Sequence, residues 1–137
     1  MNRFQPRILV FLCEWCSYRG ADAAGRQRRV VPWQARPVRV PCAGRVGPEQ
    51  VLEALRSGAD GVLALACHPG DCHYRHGNQR ASHRVHLLRD LLGQAGVAPE
   101  RVQFDYVAAG EGERYAALTG AFARQIGDLG PLEARNG

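Results

Sequence analysis

Four short apolar runs punctuate the chain, and each is followed by a stretch with helical periodicity. "RILVFLC" (7–13), "PVRVPC" (37–42), "GVLALAC" (61–67) and "RVQFDYV" (101–107) read as strands. Apolar runs of this length suit parallel strands covered on both faces. In "GPEQVLEALRSG" (47–58), Pro48 stands where a first helical residue belongs and Gly58 where a helix stops. "NQRASHRVHLLRDLLGQAG" (78–96) places Ala81, Val85, Leu88 and Leu92 on one stripe, with Arg80, His83 and Arg84 largely off it. "ERYAALTGAFARQIGDLG" (113–130) does the same with Tyr115, Thr119, Phe122 and Ile126, and "SYRGADAAGRQ" (17–27) reads as a weaker helix. Alternating strands and helices predict an α/β protein with right-handed crossovers. The expected architecture is one doubly wound, flavodoxin-like domain over 1–137, with a four-stranded parallel sheet in order 2-1-3-4 and flanking helices. Its core spans about 7–130, and a short tail from Pro131 is expected to be flexible.

This pattern changes the meaning of the cysteines. There are five: Cys13 and Cys16 as C-x2-C, Cys42 alone, and Cys67 and Cys72 as C-x4-C. Cys13, Cys42 and Cys67 each end a predicted strand, and open α/β sheets bind ligands just beyond the strand carboxyl ends. In the order 2-1-3-4 those three ends are neighbours. Cys16 follows about one helical turn after Cys13, and Cys72 lies on the loop after the third strand. Residues far apart in sequence are thereby expected to converge on one edge.

Composition narrows the compartment and the partners. An odd cysteine count does not suit a disulfide framework. No apolar run approaches a membrane span, and "ILVFL" is too short for a signal core, so a cytoplasmic protein without membrane insertion is expected. The formal net charge is +5, and all 18 basic residues are Arg. They are scattered rather than clustered, which argues against a nucleic-acid arm.

Four chemistries compete for the sulfur. Soft thiolates select iron–sulfur clusters or zinc over hard cations. A zinc-binding structural or interaction module is possible, with His68 or His73 as a nitrogen ligand, but such sites usually pair two C-x2-C knuckles. Thiol–disulfide exchange at "CEWC" leaves Cys42, Cys67 and Cys72 unexplained. "CEWCSYR" is also C-x5-R after a first strand and resembles the phosphate loop of low-molecular-weight tyrosine phosphatases, with Cys13 as nucleophile and Arg19 as clamp. That match fails at Gly20, where a hydroxyl residue is expected, at the missing Asp-Pro acid, and at the charge and bulk of Glu14 and Trp15. An iron–sulfur cluster would take four thiolates, and Pro41, Gly44, Pro69 and Gly70 around the cysteines fit loops that wrap a cofactor. Arg19 and Arg45 would offset some of its negative charge.

"CEWCSYRGADAAG", "VRVPCAGRV", "GADGVLALACHPGDCHYRHGN" and "AAGEGERY" occur in order. Together they resemble the small iron–sulfur (delta, or D) subunit of methyl-viologen-reducing hydrogenases, from about residue 7 to about 126. The resemblance implies one [2Fe–2S] cluster. It also implies a relay of electrons between a hydrogenase or formate dehydrogenase and the FAD subunit of heterodisulfide reductase, in support of electron bifurcation. All five cysteine positions of the family pattern are filled, while Glu14 stands where Asn is expected. No substrate chemistry of the chain's own is implied. Four of the five cysteines are expected to be ligands: Cys13, Cys42 and Cys72, with Cys16 or Cys67 as the fourth. His68 and His73 are candidates for hydrogen bonds to sulfur. Trp15, Tyr18, Arg45 and Tyr74 are candidate anchors for a redox partner. His83 and His86 read as helix surface, Asp71 as a turn organiser, and "EGER" (111–114) as a loop and helix start.

Overall fold

The sheet is built from four parallel strands, β1 (Ile8–Cys13), β2 (Ala35–Val40), β3 (Gly61–Ala66) and β4 (Val102–Tyr106), in the order β2-β1-β3-β4. Four helices connect and follow them: α1 (Ser17–Arg26), α2 (Pro48–Arg56), α3 (Gly77–Gln94) and α4 (Gly112–Leu129). This computed structural model describes residues 4–13, 17–28, 31–32, 34–40, 48–66 and 77–132, apart from the side chains of 17, 18, 48 and 77–81. Class, strand order and helix number all match the sequence reading.

Period-two alternation divides the core. Ile8, Val10 and Leu12 of β1 join Leu63 and Leu65 of β3 under α1 and α4, where Ala24, Tyr115, Phe122 and Ile126 are buried. Phe11, Val62, Ala64 and Val102 pack on the opposite face against Val51 and Leu55 of α2 and Val85, Leu88 and Leu92 of α3. The α4 stripe is buried at all four expected positions, Tyr115, Thr119, Phe122 and Ile126. In α3, Val85, Leu88 and Leu92 are buried, and the side chain of Ala81 lies outside the described residues. Burial raises the Tyr115 phenol above its ordinary pKa.

The edge strand departs from expectation. β2 starts at Ala35, two residues before the apolar pattern begins, and residues 36–39 are exposed rather than covered. Pairing with β1, not its own hydrophobicity, sets its position. Ile8 N–H donates to Gln34 O at 3.1 Å. Alternate residues of a parallel strand bond to opposite sides, so Ala35, Pro37 and Arg39 face the open edge. Ala35 N–H turns back onto Pro32 O at 3.1 Å, and Pro37 has no N–H. Such an edge resists addition of another strand.

The tail also differs. Leu132 is buried against the α2/α3 face, and residues 133–137 lie outside the description. A polar knot at the amino ends of the strands explains this. Asp60 is buried, and its carboxylate accepts from Arg7 N–H (2.9 Å) and Leu132 N–H (3.3 Å). Arg101, buried at the end of a 3-10 turn (Pro99–Arg101), donates to Asp60 O (2.9 Å) and Gly130 O (2.8 Å). Asp60→Ala would leave two amides without their acceptor, at about 1–3 kcal/mol each. We expect the melting temperature to fall by roughly 10 °C; a melt within a degree or two of wild type would show that the knot is not structural.

Candidate metal centre at the carboxyl ends of the strands

Strand register decides what can meet here. Cys13, the last residue of β1, pairs with Val40, the last residue of β2. Leu12 pairs with Leu65, which sets Cys13 level with Ala66 at the end of β3. Cys67 is one peptide beyond Ala66, and Cys42 two beyond Val40. Neighbouring strands lie about 4.8 Å apart and successive Cα atoms 3.8 Å apart, which tethers those Cα atoms within about 9 and about 12 Å of that of Cys13. Cys16 is tethered within about 11 Å by its own three peptides.

The two central strands then part company. The chain leaving β1 enters α1 on one face, and the chain leaving β3 enters α3 on the other. This reversal makes the ends of β1 and β3 the topological switch point, where doubly wound sheets bind ligands. Cys13 ends β1 at that point and is only 2% exposed. All four helices begin at this edge, because each follows a strand that ends there. Their N-terminal dipoles favour negative charge, which thiolates would supply.

Of the residues singled out from the sequence, Cys13 lies at the predicted place. Arg19 is exposed in the first turn of α1. The backbone of Tyr18 begins the same helix, but its side chain lies outside the described residues. Trp15, Cys16, Cys42, Arg45, Cys67, His68, Asp71, Cys72, His73 and Tyr74 lie outside them altogether. Among the described residues, no group of three or more His, Cys, Asp or Glu comes together. His83 and His86 are exposed on α3, as expected of helix-surface residues.

Gly20 bears directly on the phosphate-loop alternative. A Cβ at this position would lie 2.5 Å from Val107 Cγ1 and 2.8 Å from Ala108 O. The hydroxyl residue that alternative calls for has no room. Gly112 plays the reciprocal part, since a Cβ there would lie 2.6 Å from Ala24 N. These two glycines let α1 press against the turn after β4 and the start of α4.

Sequence reasoning missed what that turn does. Val107 N–H donates to Ala66 O at 2.8 Å, directly before Cys67. Glu111 accepts from Ala108 N–H through Oε1 at 2.8 Å. Arg114 Nε and Nη2 donate to Tyr106 O and Asp105 Oδ1, each at 2.7 Å. The signal was present in "AAGEGERY", but the backward reach of Arg114 has no periodicity to reveal it.

The profile of a family described as methyl-viologen-reducing hydrogenase, delta subunit, matches residues 8–130. The chain belongs to that family. Among its relatives is the iron-sulfur subunit of the F420-non-reducing hydrogenase of Archaeoglobus profundus, 45% identical over 96% of both chains. The iron-sulfur subunit of the vhc F420-non-reducing hydrogenase of Methanococcus voltae is 42% identical over 95% of this chain and 90% of its own. One subunit of the ferredoxin/F(420)H(2)-dependent CoB-CoM heterodisulfide reductase of Methanosarcina acetivorans is 42% identical over 93% of this chain, which spans only 16% of that protein. The delta-subunit sequence thus occurs both as a separate chain and as part of a longer one. No described helix is long and apolar enough to cross a membrane.

Overpacking a tight contact costs about 1–3 kcal/mol. Gly20→Ser in this delta-subunit chain should therefore lower the melting temperature by several degrees and create no phosphatase activity. A variant as stable as wild type would mean that α1 stands further from Val107 than described.

Proposed function

We propose that this chain carries one [2Fe–2S] cluster and relays electrons within a larger oxidoreductase complex. The donor would be a hydrogenase or formate dehydrogenase, and the acceptor an FAD-containing, heterodisulfide-reductase-like chain. The observation that carries the reading is buried Cys13 at the switch point between β1 and β3, with Cys16, Cys42 and Cys67 only a few peptides along the chain from the strand ends. Family membership and the relatives' names support it. The iron-sulfur relatives cover nearly the whole chain, and the heterodisulfide reductase relative contains the domain covalently.

The donor set fits such a group, because soft thiolates at one edge suit iron–sulfur ligation. When bound, the cluster supplies a one-electron carrier and no bond-making chemistry. The protein's share is to hold thiolates, restrict water and present the site to partners. Cys13 contributes a thiol already withdrawn from solvent in the end of β1. Four of Cys13, Cys16, Cys42, Cys67 and Cys72 would be ligands, with Cys13, Cys42 and Cys72 among them. The helix N-termini and Arg19 and Arg45 would counter the anionic charge, and His68 and His73 would donate to sulfur. Trp15, Tyr18, Arg45 and Tyr74 would form the docking surface over the switch point.

Anaerobically prepared protein should be brown and hold about two irons and two sulfides per chain. Serine at each of the five cysteines in turn should abolish or alter the EPR signal at four positions and spare it at one. A colourless protein with one tightly bound zinc would establish the zinc module instead.

A further inference from the structure

The turn between β4 and α4 touches both the end of β3 and helix α1. On one side, fully buried Val107 holds the carbonyl of Ala66, the residue before Cys67. On the other, Val107 and Ala108 occupy the space beside Gly20, and Gly112 abuts Ala23 and Ala24. Helix α1 begins one residue after Cys16. One short turn therefore braces the two segments that lead to sulfur.

Two side chains hold the turn in shape. Glu111 closes it twice, accepting from Ala108 N–H through Oε1 and donating its own N–H to Ala108 O at 3.1 Å. Arg114 reaches back from the first turn of α4 and grips the end of β4 at Tyr106 O and Asp105 Oδ1. A guanidinium engaged at two points fixes angle as well as distance. The Arg114 and Asp105 side chains are 40% and 36% exposed, so their ion pair contributes little to global stability. What it adds is orientation.

We propose that Glu111 and Arg114 are positioning residues of the metal centre. They hold the 107–112 turn as the common support of the end of β3, which leads to Cys67, and of α1, which follows Cys13 and Cys16, and so set the spacing of sulfur between the two segments. This assignment rests on the [2Fe–2S] reading above. Ligand placement by outer residues governs how tightly a metal is held and at what potential it is reduced.

The test compares anaerobic wild-type protein with Arg114→Met and Glu111→Ala. The readouts are iron and sulfide content, EPR of the reduced form, redox titration and iron loss to a chelator. Both variants should melt within a few degrees of wild type and retain iron. Their g values and midpoint potential should shift, and iron should be lost roughly tenfold faster. Glu111→Gln, which keeps the acceptor oxygen, should restore wild-type behaviour, whereas Arg114→Lys, with a point charge in place of the fork, should not. Wild-type spectra, potential and iron loss in Arg114→Met and Glu111→Ala would overturn the proposal. Should either of these fail to fold, wild-type behaviour in Arg114→Lys would overturn it equally. Wild-type protein lacking iron and sulfide would instead remove the cluster reading, and this assignment with it.

Discussion

Parallel pairing without stagger is the constraint on which the site depends. Cys13, Val40 and Ala66 end three adjacent strands at one level. A one-residue slip of β3 against β1 would send Leu63 and Leu65 to the wrong helix layer and move Cys67 relative to Cys13. The two alternating cores forbid that slip, because each face of the sheet is buried by a different pair of helices. The energetics of packing and the placement of sulfur are thus the same fact seen from two sides.

The two poles of the sheet are built from different chemistry. At the amino pole, a buried Asp and a buried Arg draw backbone groups together around Gly61. At the carboxyl pole, the described contacts are glycine-mediated approaches and a clamped turn, which set distances between backbones rather than add bulk. Thiolates proposed at the carboxyl edge would meet favourable helix N-termini there.

Much of this was legible in the sequence. The apolar runs of β1 and β3 and the stripes of α3 and α4 follow directly from periodicity, because both faces of these strands and one face of each helix bury against neighbours. The strand order follows from connection rules once four parallel strands are accepted. β2 was harder to place, because an exposed edge strand carrying Arg36, Pro37 and Arg39 has little hydrophobic pattern of its own. The docking of Leu132 was invisible, since it depends on a carboxylate 72 residues away. Cys13 stands where its strand-end position placed it, while the roles of Gly20 and Gly112 depend on neighbours that no local motif names.

The carboxylate of Asp60 has one further consequence. Its two oxygens receive the amides of Arg7 and Leu132, so a single side chain gathers the segment before β1 and the segment after α4 at one spot. That spot lies at the pole away from Cys13. Arg7 and Leu132 are thereby neighbours at the amino pole, so a longer polypeptide attached near either of them would meet the domain on the side opposite Cys13.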